Sequence, residues 1–157
     1  MTTTNPTVTS TPSSVSRILV ATDFSLPAES ALEWGRRLGT AFGAKLVLLH
    51  VIDVFGAAQL GVHMVGGDPL ISVLRTEARR HMQEWQTREP DAEGVILEGS
   101  PRPVIAESAL ELQCQMIVMG THGRSGLAHL LMGSVAEYVV RHSKVPVLTV
   151  RAQGKSD

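Results

Sequence analysis

KLVLLHVI, residues 45–52, is apolar almost throughout. A strand with one wet face alternates polar and apolar side chains, so a run this continuous is covered on both faces. RILVAT (17–22) and QMIVMG (115–120) read the same way, and EGVILEG (about 93–99) and KVPVLTV (144–150) supply two further strands. Burial on both faces predicts a parallel sheet whose connections are helices packed above and below it.

The segments between the strands fit that requirement. Residues 26–43 place Ala28, Ala31, Leu32, Gly35, Leu38 and Phe42 on a helical stripe closed by Gly43, with Pro27 near the start. From Pro69, the stripe Leu70, Leu74, Ala78, Met82 and Trp85 marks a second helix. Ser100 and Pro101 open a third, with Val104, Ile105, Ala109 and Leu112 inward. Residues 53–68, rich in glycine and without periodicity, read as a mobile loop or flap. The whole is βαβαβαβαβ, a doubly wound α/β sheet with right-handed crossovers. Pro146 implies that the fifth strand starts at an edge or has only one conventional neighbour there.

In such a sheet, ligands sit beyond the carboxyl ends of the strands, where strand order reverses. The residues found there are Asp23, the stretch from His50 to Asp53, Gly99 and Gly120. After the fourth strand come Gly120, Thr121, His122 and Gly123, then Arg124 and Ser125, with Gly133 and Ser134 opening the last helix. Main-chain N–H groups in such a turn converge on an anion, and a helix N-terminus adds unpaired donors. Gly133 leaves room for a phosphate near the backbone, and the Ser134 hydroxyl is a donor. Two plainer explanations stand beside this one. Ser134 and Glu137 have the spacing of a capping box, and Gly120 and Gly123 suit an ordinary turn. Asp23 is likewise open to two roles, as an acceptor for adenine or ribose or as an Asx-turn cap for the next helix.

Composition narrows the function classes. The 157 residues suit one compact domain. A net charge of −1 with only 3 lysines builds no field for duplex nucleic acid, and few aromatics are present for stacking bases. Six histidines stand without metal-ligand spacing, and Cys114 is the single cysteine, expected to be semi-buried packing. No apolar run reaches the ~20 residues of a membrane span. Residues 1–14 are a Thr/Ser/Pro tail unlike a secretion signal, and residues 152–157 form a frayed end. A single domain over 15–151 in a cytoplasmic protein is the expectation.

The quoted pieces, RILVATDFS, HVID, EGSPRPVI and IVMGTHGRSGLAHLLMGSVAEYVVRHSKVPVLTV, together resemble the universal stress protein family across residues 15–151. The last matches the Gly-x2-Gly-x9-Gly-Ser pattern of that family's ATP-binding branch at Gly120, Gly123, Gly133 and Ser134. The resemblance implies a Rossmann-like five-stranded parallel sheet of order 3-2-1-4-5 that binds ATP. Asp23 would lie on the adenine side, Val51 or Ile52 would line the adenine pocket, and Gly120 and Gly123 would follow the ribose and first phosphates. Gly133 and Ser134 would hold the later phosphates, with Mg2+ or Mn2+ carried mainly by the phosphates themselves. It also implies a homodimer paired across the fifth strand, residues 146–150. One departure is Gln115, where the family often has an acid.

The sequence contains no Gly-x4-Gly-Lys-Ser/Thr loop and no general base directed at a γ-phosphate. An ATP-binding regulatory protein of the stress response, hydrolysing slowly at most, is therefore the leading expectation. A nucleotide-independent interaction module is the alternative. A dedicated phosphohydrolase or nucleotidyl-transfer enzyme using His122 or Arg124 is the third.

Overall fold

The computed structural model describes residues 14–59, 69–122 and 132–152. In chain order these form β1 (Arg17–Ala21), α1 (Leu26–Phe42), β2 (Lys45–Asp53), α2 (Val54–Gln59) and α3 (Pro69–Arg88). There follow β3 (Glu93–Gly99), α4 (Pro101–Glu111), β4 (Met116–Gly120), α5 (Ser134–His142) and β5 (Val147–Val150). All strand pairs are parallel, in the order β3-β2-β1-β4-β5. Leu19 sits opposite Val47 on one side and Ile117 on the other, at the centre of the sheet.

The alternation of side chains along each strand builds two cores. Ile18, Val20, Leu46, Leu48 and Val118 face α1 and α3, where Ala28, Ala31, Leu32, Met82 and Trp85 cover them. Leu19, Val47, Leu49, Val51, Ile117 and Met119 face α4 and α5, under Ile105, Ala109, Ala136 and Val139. Burying each large aliphatic side chain contributes roughly 1.5–3 kcal/mol, so the three central strands carry much of the stabilisation. This is the doubly wound architecture that the strand and helix pattern predicts, in the strand order that the resemblance implies.

Local chemistry sets the ends of the helices. Pro27 lies in the first turn of α1, and Gly43, at φ 66°, closes it in the left-handed region. Ser100 stands at the N-cap of α4, yet its side chain makes no capping bond. Ion pairs tie α1 to α3 and the segment after it, with Arg88 on Glu29 at 2.9 Å and Arg36 on Glu89.

Two boundaries differ from the sequence reading. Residues 54–59 are helical, because Asp53 caps them by accepting from Gly56 N–H at 2.8 Å. The remainder of the expected flap, 60–68, lies outside the described residues. The fifth strand begins at Val147 and not near 144, since Ser143 Oγ and Val145 form a local turn. Pro146 contributes its carbonyl to Ile117 N–H at 2.9 Å. Among the described residues, β5 is an edge strand paired only with β4.

At the opposite end of the sheet from the strand carboxyl termini, Gln115 anchors β1. Its Oε1 accepts from Ser16 N–H and Arg17 N–H, each at 2.9 Å, and its Nε2 donates to Gln113 O at 2.7 Å. A neutral amide fills the position where the resemblance leads one to expect an acid. Among the described residues, no helix is long and apolar enough to cross a membrane.

Candidate ligand site at the carboxyl edge of the sheet

β1 and β4 are neighbours whose connections leave in opposite directions, through α1 to β2 and through α5 to β5, so a crevice opens beyond their carboxyl ends. A cavity of about 510 Å3 occupies that place. This volume lies in the range of small-molecule sites, ~300–1,000 Å3. Its walls come from both layers, with Ala78 and His81 of α3 on one side and Ile105 of α4 and Ala136 of α5 on the other.

Asp23, Val51, Ile52, Gly120, His122, Gly133 and Ser134 all line this cavity. Residues far apart in sequence are thereby brought together at the predicted sheet edge. Gly123, Arg124 and Ser125 lie outside the described residues. Val51 and Ile52 point to opposite faces of β2 yet both reach the cavity, because it runs over the end of the strand.

The turn after β1 is tightly held. Thr22 N–H donates to Leu49 O at 2.8 Å, and Phe24 N–H donates to Thr22 Oγ1 at 2.8 Å. Asp23 Oδ1 accepts from Ser25 N–H at 3.1 Å and from the Ser25 hydroxyl. Asp23 therefore makes the Asx-type contact and also borders the cavity, while Ser25 occupies the N-cap of α1. Phe24 adopts φ 61°, a left-handed backbone rare for a residue with a large side chain. Its ring packs 4.7 Å from His50 and 5.0 Å from His81 between centroids, with Trp85 edge-on at 5.5 Å.

The opposite wall begins at β4. Thr121 N–H donates to Val150 O at 2.8 Å, and Gly133 N–H donates to Thr121 O at 2.7 Å. The start of α5 is thus drawn against the end of β4. Gly133 is the N-cap, at φ −75°, so Ser134 is the first helical residue and the Ser134–Glu137 capping box does not form. The first helical bond is Glu137 N–H to Gly133 O, leaving the N–H groups of Ser134, Val135 and Ala136 without an acceptor in the helix. Neither glycine needs a ligand to explain it. A Cβ on Gly120 would meet Pro27, and one on Gly133 would lie 3.2 Å from Thr121 O.

Electrostatically, the described lining carries three carboxylates, Asp23, Asp53 and Glu77, and three imidazoles, His50, His81 and His122, with no lysine or arginine. The Arg80 guanidinium, hydrogen-bonded to Glu77, holds that carboxyl below its usual range. Among the described residues, no group of three or more His, Cys, Asp or Glu could hold a metal ion. Sequence reasoning did not single out Thr22, Phe24, Glu77, His81 or Thr121 as site residues. His50 was legible as the one polar interruption of an apolar strand.

This geometry defines a doubly wound α/β domain with a ligand cavity at its topological switch point. Comparison with known proteins gives the family: the universal stress protein family profile matches residues 14–151, and the chain belongs to that family. Universal stress protein MJ0577 of Methanocaldococcus jannaschii is 32% identical over 152 residues, covering 86% of this chain and 94% of that protein. Its solved structure superposes with a TM-score of 0.75 at 30% identity, over 90% of this chain and 99% of that one. Two more distant structures share the fold. One is a universal stress protein in complex with cAMP, with TM-score 0.66, 24% identity and coverage of 90% and 100%. The other is an Arabidopsis thaliana family protein with AMP bound, with TM-score 0.60, 20% identity and coverage of 90% and 94%.

Proposed function

We propose that this chain binds ATP in the cavity between β1 and β4 and acts as a regulatory protein of the stress response, not as a dedicated enzyme. The observation that carries the reading is the cavity itself, into which Asp23, Val51, Gly120 and the first turn of α5 converge. Val51 and Ile52 flank the base, and Asp23 accepts from the adenosine. Gly120, His122 and Gly123 follow the ribose and first phosphates. Gly133, Ser134 and the donors that open α5 hold the later phosphates, to which we assign the positive charge of Arg124 and the hydroxyl of Ser125. cAMP and AMP in two proteins of this fold speak for what the fold accommodates.

Asp23 and Asp53 border the cavity while Glu77 is paired with Arg80, so the charge of a counter-ion on the triphosphate should strengthen binding. A divalent ion, Mg2+ or Mn2+, supplies that charge when it arrives on the phosphates. The protein's part is to seat the base and ribose and to direct N–H groups at the anion. β5, largely apolar and, among the described residues, paired on one side only, is the edge we assign to homodimer formation, over residues 146–150.

Titration with a fluorescent ATP analogue, with and without Mg2+ or Mn2+, tests the binding. Saturable binding that strengthens with metal is expected, and its absence overturns the reading. Multiple-turnover hydrolysis faster than about 1 s−1 would overturn the regulatory assignment. A second reading, a nucleotide-independent interaction module, draws on the protein contacts that already account for Gly120 and Gly133. Native mass spectrometry of the purified protein separates the two, because nucleotide carried through purification favours the first.

A further inference from the structure

We propose that His50 is a positioning residue for the ligand site, holding the turn from Thr22 to Ser25 in the form that presents Asp23 to the cavity; the proposal rests on the nucleotide reading above. The β1–β2 ladder ends with Ala21 opposite Leu49, after which Thr22 N–H still donates to Leu49 O. His50, the next residue of β2, supplies the following link from its side chain, with Nδ1 2.8 Å from Thr22 O. A carbonyl only accepts, so Nδ1 carries the hydrogen. Thr22 is 7% exposed, and losing that donor would strand its carbonyl in a buried setting.

The same imidazole carries the second constraint. Phe24 stands at φ 61°, an unfavourable backbone for a side chain with a Cβ, and something must compensate for it. Its ring is clasped between His50 and His81, with the edge of Trp85 against it. Asp23 lies between Thr22 and Phe24, so one residue of β2 fixes both flanks of the acid. Phe24 and His50 themselves border the cavity. Thus His50 converts the rigid strand β2 into a fixed orientation for a carboxylate on the loop after β1.

Two variants separate its two contacts. His50→Asn places an amide N–H at the position of Nδ1 but removes the ring. His50→Phe keeps a ring against Phe24 and removes the donor. Affinity for the fluorescent ATP analogue with Mg2+ should fall by at least about tenfold in His50→Phe and by less in His50→Asn, which keeps the donor and loses only the ring. A general loss of packing would give the reverse order. Trp85 emission, read in a Trp34→Phe background, should shift in His50→Asn, because the Phe24 ring loses its support.

Unchanged affinity in His50→Phe overturns the proposal. So does a 15N spectrum of the wild type with the hydrogen on Nε2 alone, which also decides the matter should either variant fail to fold. If the wild type binds no nucleotide, the functional reading fails, and the 15N spectrum and Trp85 emission still judge whether His50 holds the turn.

Discussion

Gly120 lies so close to Pro27 that a Cβ on it would sit 2.8 Å from Pro27 Cβ and 3.0 Å from Pro27 C. The end of β4 and the first turn of α1 are thereby locked together at the floor of the cavity. Gly120→Ala should destabilise the protein by about 1–3 kcal/mol, the usual cost of forcing an atom into a packed contact. Urea unfolding followed by circular dichroism measures this. Wild-type stability in the variant would mean that the contact yields freely.

Gly133 faces its own chain, with Thr121 O 3.2 Å and His122 Cα 3.5 Å from the position of a Cβ. An alanine there asks its neighbours to give by a few tenths of an ångström. A valine must push α5 away from β4. Gly133→Val should weaken ATP binding by at least about tenfold, and Gly133→Ala much less, as judged by titration of the fluorescent analogue. Equal affinity in wild type and the valine variant would remove the phosphates from the start of α5.

Gln115 joins the start of β1 to the segment before β4 by accepting three hydrogen bonds, from Ser16 N–H, Ser16 Oγ–H and Arg17 N–H. Gln115→Ala should cost about 1–2 kcal/mol in urea unfolding. Gln115→Glu keeps the acceptors but sets a carboxylate against Gln113 O, which now receives the amide hydrogen. Its stability should fall between wild type and the alanine variant. ATP affinity should be unaffected in both, because this end of the sheet lies away from the cavity.

Cys114 is 2% exposed, and burial pushes its thiol above the ordinary value despite the opposing pull of Arg17. A folded-state value above the unfolded one means that the unfolded chain releases the proton first. The stabilisation is complete below the ordinary thiol pKa and is lost as pH rises through the folded value. Iodoacetamide should label Cys114 slowly in the native protein and rapidly in urea. Between about pH 8 and 10, wild type should lose more stability than Cys114→Ala. Rapid native labelling would contradict this.

What the sequence disclosed, and what it withheld, follows from the range of the interactions involved. The apolar run from Leu46 to Leu49 needs no knowledge of its neighbours to imply cover on both faces, and the parallel sheet followed from it. Glycines at 120 and 133 marked the edge at which the cavity lies, although the atoms they accommodate, in Pro27 and Thr121, could not be read from spacing. The six-residue helix α2 went unrecognised because Val-Phe-Gly-Ala-Ala-Gln has no helical periodicity. It depends on one capping carboxylate, Asp53. The wall of Phe24, His50 and His81 was hidden for another reason: its members come from a loop, a strand and a helix, and one has a backbone that sequence disfavours.

The cavity takes its walls from both helical layers, whose cores lie on opposite faces of the sheet. A molecule seated there is a wedge common to the two halves. Amide exchange should then slow together in α3 and α5 on ligation, so that the chain opens as one cooperative unit where each layer could otherwise breathe alone.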